Sequence, residues 1–212
     1  MIAPEGRKIL LTLFAITFVF GIVGYYYSLN WLLWLSAISG LLFLFCLNFF
    51  RDPIREIPDE ENGIISPADG KVVLIKEVND KEVGGEAIQV SIFLNVFNVH
   101  VNRVPFDSTV RSVSYRPGKF LAAFNHKASD ENEQTMIVLD TSEGVMKVKQ
   151  IAGLIARRIL CYASDGKKFS RGDRLGFIMF GSRTDIIFPA AVTVNIAVGD
   201  KVTGGKTIIG KF

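Results

Sequence analysis

Two long apolar stretches occupy the first quarter of the chain. No Asp, Glu, Lys or Arg occurs between Lys8 and Arg51. Within that interval, residues 9–27 and 31–50 are almost wholly apolar, and a short turn separates them. A bilayer core of about 30 Å needs about twenty such residues per helix. The pattern therefore predicts an N-terminal transmembrane helical hairpin.

The residues that flank these stretches predict the orientation of the hairpin. Arg7 and Lys8 precede the first stretch, whereas Arg51 and Arg55 follow the second. Because positive charge is retained on the cytoplasmic side, both ends of the hairpin should face the cytoplasm. We expect the protein in the cell (inner) membrane, with everything after residue 51 cytoplasmic. A cleaved signal peptide is disfavoured, because the first stretch exceeds the usual apolar region of about 7–15 residues and a second stretch follows at once.

After residue 51 the pattern changes to short β-branched runs that glycine, proline and asparagine separate. Such runs are typical of strands. Segment 118–127 could form a helix, and segment 154–162 is ambiguous between helix and strand. The predicted fold class is α+β, with the helical hairpin at 1–50 followed by a mostly-β domain at 51–212. The predicted strands are 71–78, 86–95, 109–115, 134–140, 174–180, 191–197 and 206–212.

Composition excludes several classes of function. The net charge of +3 on 212 residues is too modest for a nucleic-acid-binding surface. The chain has two histidines, so a histidine-rich metal site is excluded and no metal is expected. Cys46 lies in the second apolar stretch and Cys161 lies far from it, so a structural disulfide is not expected in the reducing cytoplasm.

Three polar patches stand out in the β-rich part. Asp69 lies in the turn-like sequence SPADG, His100 lies in FNVHVNRVP, and Ser182 lies in MFGSRT. Each has a structural explanation by itself: a turn before a strand, a buried histidine and a bulge within a strand. Together they supply an acid, a base and a hydroxyl, the components of a Ser-His-Asp relay. No GxSxG sequence occurs, so a hydrolase-type nucleophile is not supported.

The glycine before Ser182 suggests a different use of that hydroxyl. A serine that attacks its own preceding carbonyl needs a peptide bond that is accessible and can be strained. Gly181 lets the backbone bend and adds no side chain to obstruct the approach.

These motifs, taken in order, resemble the phosphatidylserine decarboxylases, specifically the short prokaryotic (archaeal-type), pyruvoyl-dependent family. The resemblance runs from about residue 50 to the end of the chain. It rests on SPADG at 66–70, VHVNRVP at 99–105 and FGSR at 180–183, with support from KASDENE at 127–133 and IAGLIARR at 151–158.

The resemblance implies that the chain makes its own cofactor. Asp69 would orient His100, and His100 would take the proton from Ser182. The Ser182 oxygen would attack the Gly181 carbonyl, and the chain would be cut between residues 181 and 182. Ser182 would end as an N-terminal pyruvoyl group, with fragments 1–181 and 182–212 remaining together as large and small subunits.

The resemblance also implies the reaction and the substrate. The pyruvoyl carbonyl would form a Schiff base with the amine of phosphatidylserine and draw electrons as carbon dioxide leaves, giving phosphatidylethanolamine. Arg103 and Lys127 are candidate contacts for the lipid headgroup. A homo-oligomer is compatible with this assignment, and no nucleic-acid partner is expected.

One feature departs from many longer relatives, which carry two histidines in the segment around His100. Here either His100 serves both self-cleavage and decarboxylation, or another group protonates the product. His126 is interpreted as a surface or loop histidine.

Two alternatives stay open on the residues alone. The tail sequence VGDKVTGG, with SPADGKV upstream, resembles half-barrels of biotinyl or lipoyl carriers, which would make the protein a membrane-anchored adaptor without catalysis. The modified lysine of such carriers usually adjoins methionine, and the chain's Met146-Lys147 pair lies far upstream of that turn. The other alternative, a homologue that has lost processing, is disfavoured by the intact set of Asp69, His100 and Gly181-Ser182.

Overall fold

The structure is a computed structural model that describes residues 1–121, 128–153, 158–179 and 182–212. Its internal contacts divide the chain into two compact units, Met1–Ile54 and Arg55–Phe212. The boundary predicted at residue 50, and the cleavage between residues 181 and 182, stay predictions.

The first unit is a pair of antiparallel helices, α1 (Arg7–Tyr26) and α2 (Asn30–Phe49), preceded by a short 3-10 helix at Pro4–Gly6. Both helices are long and apolar enough to cross a membrane, which indicates membrane association. Three small polar side chains join them: Thr17 Oγ1 lies 2.9 Å from Ser39 Oγ, and Ser36 Oγ donates to the Thr17 carbonyl at 2.8 Å. Such bonds hold helices together where water does not compete.

The second unit is built almost entirely of antiparallel strands, as the sequence predicts, so the α+β fold class is confirmed. A short helix, α3, spans Ala128–Glu131. The strands are β1 (Gly63–Ile65), β2 (Gly70–Asp80), β3 (Gly85–Leu94), β4 (Val101–Arg103), β5 (Ser108–Arg116), β6 (Gln134–Thr141), β7 (Gly144–Ile151), β8 (Arg158–Cys161), β9 (Lys168–Phe169), β10 (Arg174–Met179), β11 (Ser182–Pro189), β12 (Thr193–Val194), β13 (Lys201–Val202) and β14 (Ile208–Lys211).

Three sheets form within the described residues. The large one has the order β13-β2-β3-β11-β7-β6-β5-β9, and two smaller ones have the orders β4-β10-β8 and β1-β14-β12. Strand β11 lies in the middle of the large sheet, paired along its length with β3 and over five residues with β7. One hydrophobic core joins all three sheets through side chains such as Ile64, Val90, Leu175, Ile186 and Ile209.

Opposite faces of the large sheet differ in character. Alternation along β11 directs Ile186 and Phe188 into the main core, whereas Ile187 belongs to a separate small apolar cluster. Beside that small cluster Lys147 is nearly buried, and its ammonium pairs with Asp80 and Glu82 at 2.5 Å each.

The strand predictions agree with the structure along most of the second unit. The segment predicted at 191–197 forms only a two-residue strand, and β7 was not predicted. Residues 118–121 are not helical, and Lys119 instead forms an isolated β-bridge with Asn132. The remainder of the helix predicted at 118–127 lies outside the described residues. Residues 154–157 of the ambiguous segment 154–162 also lie outside them, whereas residues 158–161 form strand β8.

Candidate active site

Ser182 is the first residue of β11, where it pairs with Leu94 of β3. Its side chain is fully buried, and its Oγ has no hydrogen-bond partner in the described part of the chain. A buried hydroxyl without a partner costs about 1–3 kcal/mol. An unbonded hydroxyl at the start of a central strand is therefore an expensive arrangement for a purely structural serine. Gly181, its predicted partner in cleavage, lies outside the described residues.

His100 is fully buried just before β4. Its Nδ1 lies 2.9 Å from the carbonyl oxygen of Asn98. A carbonyl only accepts hydrogen bonds, so Nδ1 must carry a proton and a neutral ring keeps its lone pair on Nε2. This backbone contact sets the tautomer that a general base requires.

The backbone of His100 lies beside the strand that leads to Ser182. Its carbonyl accepts a hydrogen bond from the Ile178 amide at 3.2 Å, and Ile178 is the penultimate residue of β10. The loop that carries His100 also begins at Leu94, the partner of Ser182. The loop between Leu94 and His100 therefore lies beside the start of β11 at both of its ends.

Asp69 lies in a turn immediately before β2. The turn is closed by Ser66 Oγ, which donates to the Ala68 carbonyl at 2.7 Å. The Asp69 carboxylate accepts two hydrogen bonds from Arg55 at 2.9 and 3.1 Å and one from the Gly204 amide at 2.8 Å. Sequence reasoning did not find these two partners of Asp69, because they come from the segment before β1 and from the C-terminal tail.

Sheet order brings the Asp69 turn close to the other two residues. Strands β2 and β11 flank β3 on either side, so their backbones are about 10 Å apart, two strand spacings. The Arg103 amide donates to the Pro67 carbonyl at 2.8 Å, which joins the Asp69 turn to the strand after His100. The three predicted residues thus share one end of the large sheet. Whether Asp69 orients His100 stays a prediction.

The glycine that ends the SPADG motif, Gly70, is required by the close approach of two strands. A Cβ at this position would stand 2.3 Å from the Phe93 carbonyl oxygen, so β2 can approach β3 this closely only with glycine.

The predicted headgroup residues have different outcomes. Arg103 is half-buried, and its guanidinium donates to the Gly172 carbonyl at 3.0 Å. A headgroup role for Arg103 stays a prediction. Lys127 and His126 lie outside the described residues.

A fully buried polar cluster follows Ser182 on the opposite face of β11. Arg183 Nε donates to Asp185 Oδ1 at 2.6 Å, and another guanidinium nitrogen donates to Ser91 Oγ at 2.6 Å. Gln89 donates to Asp185 Oδ2 at 3.0 Å, and Ser129 of α3 donates to the same oxygen. Neither charged side chain of the pair is exposed.

This cluster was not predicted, because the sequence GSRTD carries no sign of burial. A buried ion pair contributes little net stability, but removing one partner leaves an uncompensated charge. The bonds of Arg183 and Asp185 thus attach the residue next to Ser182 to strand β3 and to α3. They hold the start of β11 against displacement.

Comparison with known proteins places this arrangement among enzymes. The family model described as phosphatidylserine decarboxylase matches residues 42–210. A phosphatidylserine decarboxylase proenzyme of Ralstonia pickettii (strain 12J) is 43% identical, with 100% of this chain and 96% of the relative covered. Proteins with the same name from Ralstonia nicotianae and Pelobacter propionicus are each 47% identical, covering 81% and 84% of this chain and 80% and 81% of the relatives.

Proposed function

Because this chain belongs to the phosphatidylserine decarboxylase family and is a decarboxylase enzyme, we propose that it converts phosphatidylserine to phosphatidylethanolamine with a pyruvoyl group made from its own Ser182. The word proenzyme in the relatives' names accords with a chain that must be processed before it acts. The observation that carries the proposal is the buried, unpartnered Oγ of Ser182. A hydroxyl without a hydrogen bond is free to attack the preceding carbonyl, and residue 182 is the position at which the pyruvoyl group must form.

Self-cleavage needs a base, a nucleophile and an accessible carbonyl. His100, with its proton on Nδ1, takes the hydroxyl proton at Nε2. The Ser182 oxygen then bonds to the Gly181 carbonyl carbon while the carbon–nitrogen bond breaks, leaving an ester and a free amine on residue 182. Loss of the Cα proton expels the Gly181 carboxylate and leaves dehydroalanine. Water then replaces the nitrogen, which departs as ammonia, and the pyruvoyl group remains.

The surrounding residues hold the two fragments in place after cleavage. Residues 183–189 keep their pairing with β3, and Arg183 keeps its bonds to Asp185 and Ser91. In addition, β13 pairs with β2, and β14 pairs with β1. The small subunit 182–212 therefore stays embedded in the large subunit 1–181.

The pyruvoyl group supplies a carbonyl that binds the substrate amine and accepts the electrons released with carbon dioxide. The protein contributes a site in which His100 is shielded from water. His100 is the residue we assign to proton transfer in both self-cleavage and decarboxylation.

The helical hairpin suits a substrate that stays in the bilayer. Phosphatidylserine has two acyl chains and hardly leaves the membrane, so its enzyme must act at the surface. The flanking Arg7, Lys8 and Arg51 favour a cytoplasmic location for the second unit, in the inner membrane of the cell.

The adaptor alternative is less well supported. The tail turn that resembles a carrier hairpin contributes its Gly204 amide to the Asp69 carboxylate and its Gly205 amide to the Ser66 carbonyl. It is thus occupied in supporting the Asp69 turn.

The test is the intact mass of the purified chain and of two serine variants. Wild type should give two pieces, the smaller beginning at residue 182, blocked to stepwise sequencing and reactive towards hydrazine. Ser182→Ala should stay whole. Ser108→Ala is the matched control, since Ser108 Oγ is also buried without a partner but lies on β5, and this variant should be cut normally. An uncut, folded wild-type chain would overturn the mechanism.

A further inference from the structure

We propose that the cleft beside Asp69 binds the phosphodiester of the lipid headgroup, between Lys71 of β2 and Lys201 of β13. The proposal rests on the proposed function and names a binding site for its substrate. It assigns the headgroup's anion to residues other than the Arg103 and Lys127 that the sequence suggested.

The cleft has the size of a ligand site. Its volume is about 400 Å³, within the range of roughly 300–1,000 Å³ that small-molecule sites occupy. Its walls combine two ammonium groups, amide side chains and one aromatic ring. The lining residues are Asp69, Gly70, Lys71, Phe93, Asn95, Asn98, Lys201, Val202 and Thr203.

The two lysines face each other with the same charge. Lys201 and Lys71 are direct antiparallel partners, so their side chains emerge from the same face of the sheet, and both are exposed. Like charges directly opposite each other destabilise a sheet. Within the described residues neither ammonium forms an ion pair, and the adjacent Asp200 carboxylate accepts a hydrogen bond from the Ala197 amide instead. An anion between the lysines would relieve this repulsion.

A phosphodiester has the charge and the oxygen atoms that such a pair selects. Lysine binds phosphate as a point charge, and hydrogen bonds with an ionised partner are about twice as strong as neutral ones. Asp69 does not cancel the lysines' charge, because its own carboxylate is bonded to Arg55.

The cleft adjoins the reacting residues. Asn98 lines it and also supplies the carbonyl that binds His100 Nδ1 at 2.9 Å. Lys71, Phe93 and Arg183 form one row across three neighbouring strands. This row lies on the face of β11 opposite to the Ser182 side chain, so the headgroup must pass around the end of β3. That strand ends at Leu94, the partner of Ser182, and the next residue, Asn95, lines the cleft. Two strand spacings, about 10 Å, separate β2 from β11 at this end.

The experiment compares Lys71→Gln and Lys201→Gln in the full-length chain, solubilised in neutral detergent and assayed with soluble short-chain phosphatidylserine. Lys76→Gln is the matched control, since Lys76 is an exposed lysine of the same strand outside the cleft. We expect complete self-cleavage in all three variants. KM should rise roughly ten- to a hundredfold in the two cleft variants, with kcat retained, as for loss of one charge-assisted hydrogen bond. Lys71→Arg should restore KM.

Two outcomes would overturn the proposal, and a third would implicate the proposed function instead. Unchanged KM in both cleft variants, as in Lys76→Gln, would exclude phosphate binding here. A defect seen only on vesicles rich in phosphatidylglycerol, and not with the soluble substrate, would show that the lysines contact the anionic bilayer surface rather than the substrate. Failure of the wild-type chain to cut itself would refute the pyruvoyl mechanism before the cleft variants are compared.

Discussion

The buried pair of Arg183 and Asp185 allows a quantitative prediction that does not depend on the reaction. Asp185→Asn preserves the shape of the side chain but removes its charge and replaces one acceptor oxygen with a donor. The two oxygens of Asp185 accept from Arg183, Gln89 and Ser129, so the new amide must face at least one of these donors. Leaving a buried charge without its partner costs about 3–5 kcal/mol.

That cost is large against the stability of an ordinary domain, about 5–15 kcal/mol. A second variant separates lost charge compensation from lost packing. Arg183→Met combined with Asp185→Val removes both charges and changes the summed side-chain volume little, so it should recover most of the stability. The free energy of unfolding of the double variant should therefore exceed that of Asp185→Asn by about 2 kcal/mol or more.

The measurement is urea-dependent pulse proteolysis in detergent, with every chain carrying Ser182→Ala so that uncut chains are compared. Circular dichroism of the strands provides a second probe of the same transition. A loss below about 1 kcal/mol for Asp185→Asn, or a double variant as unstable as the single one, would refute the argument from uncompensated burial.

Three further predictions follow from residues of the second unit. His100→Gln should slow self-cleavage by at least about a hundredfold, because the base is lost. Denaturing gels measure the fraction of cut chain over time. Cutting at the wild-type rate would remove His100 from the mechanism. Burial raises the pKa of Asp80, but its hydrogen bond and charge interaction with Lys147, with the backbone amides of Glu82 and Val83, outweigh burial and hold that pKa below its usual range. The stabilisation that this pair contributes is complete above the pKa of Asp80 in the unfolded chain and is lost as pH falls through its pKa in the folded chain. The denaturant concentration at the unfolding midpoint of wild type should therefore decrease when the pH is lowered below about 4, and it should change less in Lys147→Met. Parallel pH profiles of the two chains would contradict the pairing. Gly70→Ala should destabilise the unit by about 1–3 kcal/mol, since its Cβ would stand 2.3 Å from the Phe93 carbonyl oxygen; an unchanged thermal midpoint would show that β2 can shift without cost.

The sequence predicted the architecture where hydrophobic pattern alone decides it. The two charge-free stretches predicted α1 and α2 to within about two residues, because a helix in lipid needs an unbroken apolar surface. The long strands β2 and β3 were predicted from their β-branched runs. Strand β7 was missed because Lys147 and Lys149 make it look like an exposed loop, although Lys147 is nearly buried against Asp80 and Glu82.

The candidate site residues could be named from the sequence, but the contacts that hold them in place could not. The residue types of Asp69, His100 and Ser182 suggested a relay before any geometry was known. The partners of Asp69 come from distant segments: Arg55 from the segment before β1 and Gly204 from the tail. Contacts between segments so far apart in sequence leave no local pattern, so only the folded structure reveals them.

The central position of β11 has a consequence for how the enzyme is made and lost. The precursor brings 182–212 to β3 and β7 as part of one chain, so the effective concentration of this segment is set by a tether. If the chain is cut before residue 182 as proposed, most of these contacts persist, but their re-formation becomes a meeting of two separate chains. Mature enzyme that unfolds at low concentration would then not recover its strand, whereas the uncut precursor would. Its working lifetime would be governed by the rate of unfolding rather than by the equilibrium stability.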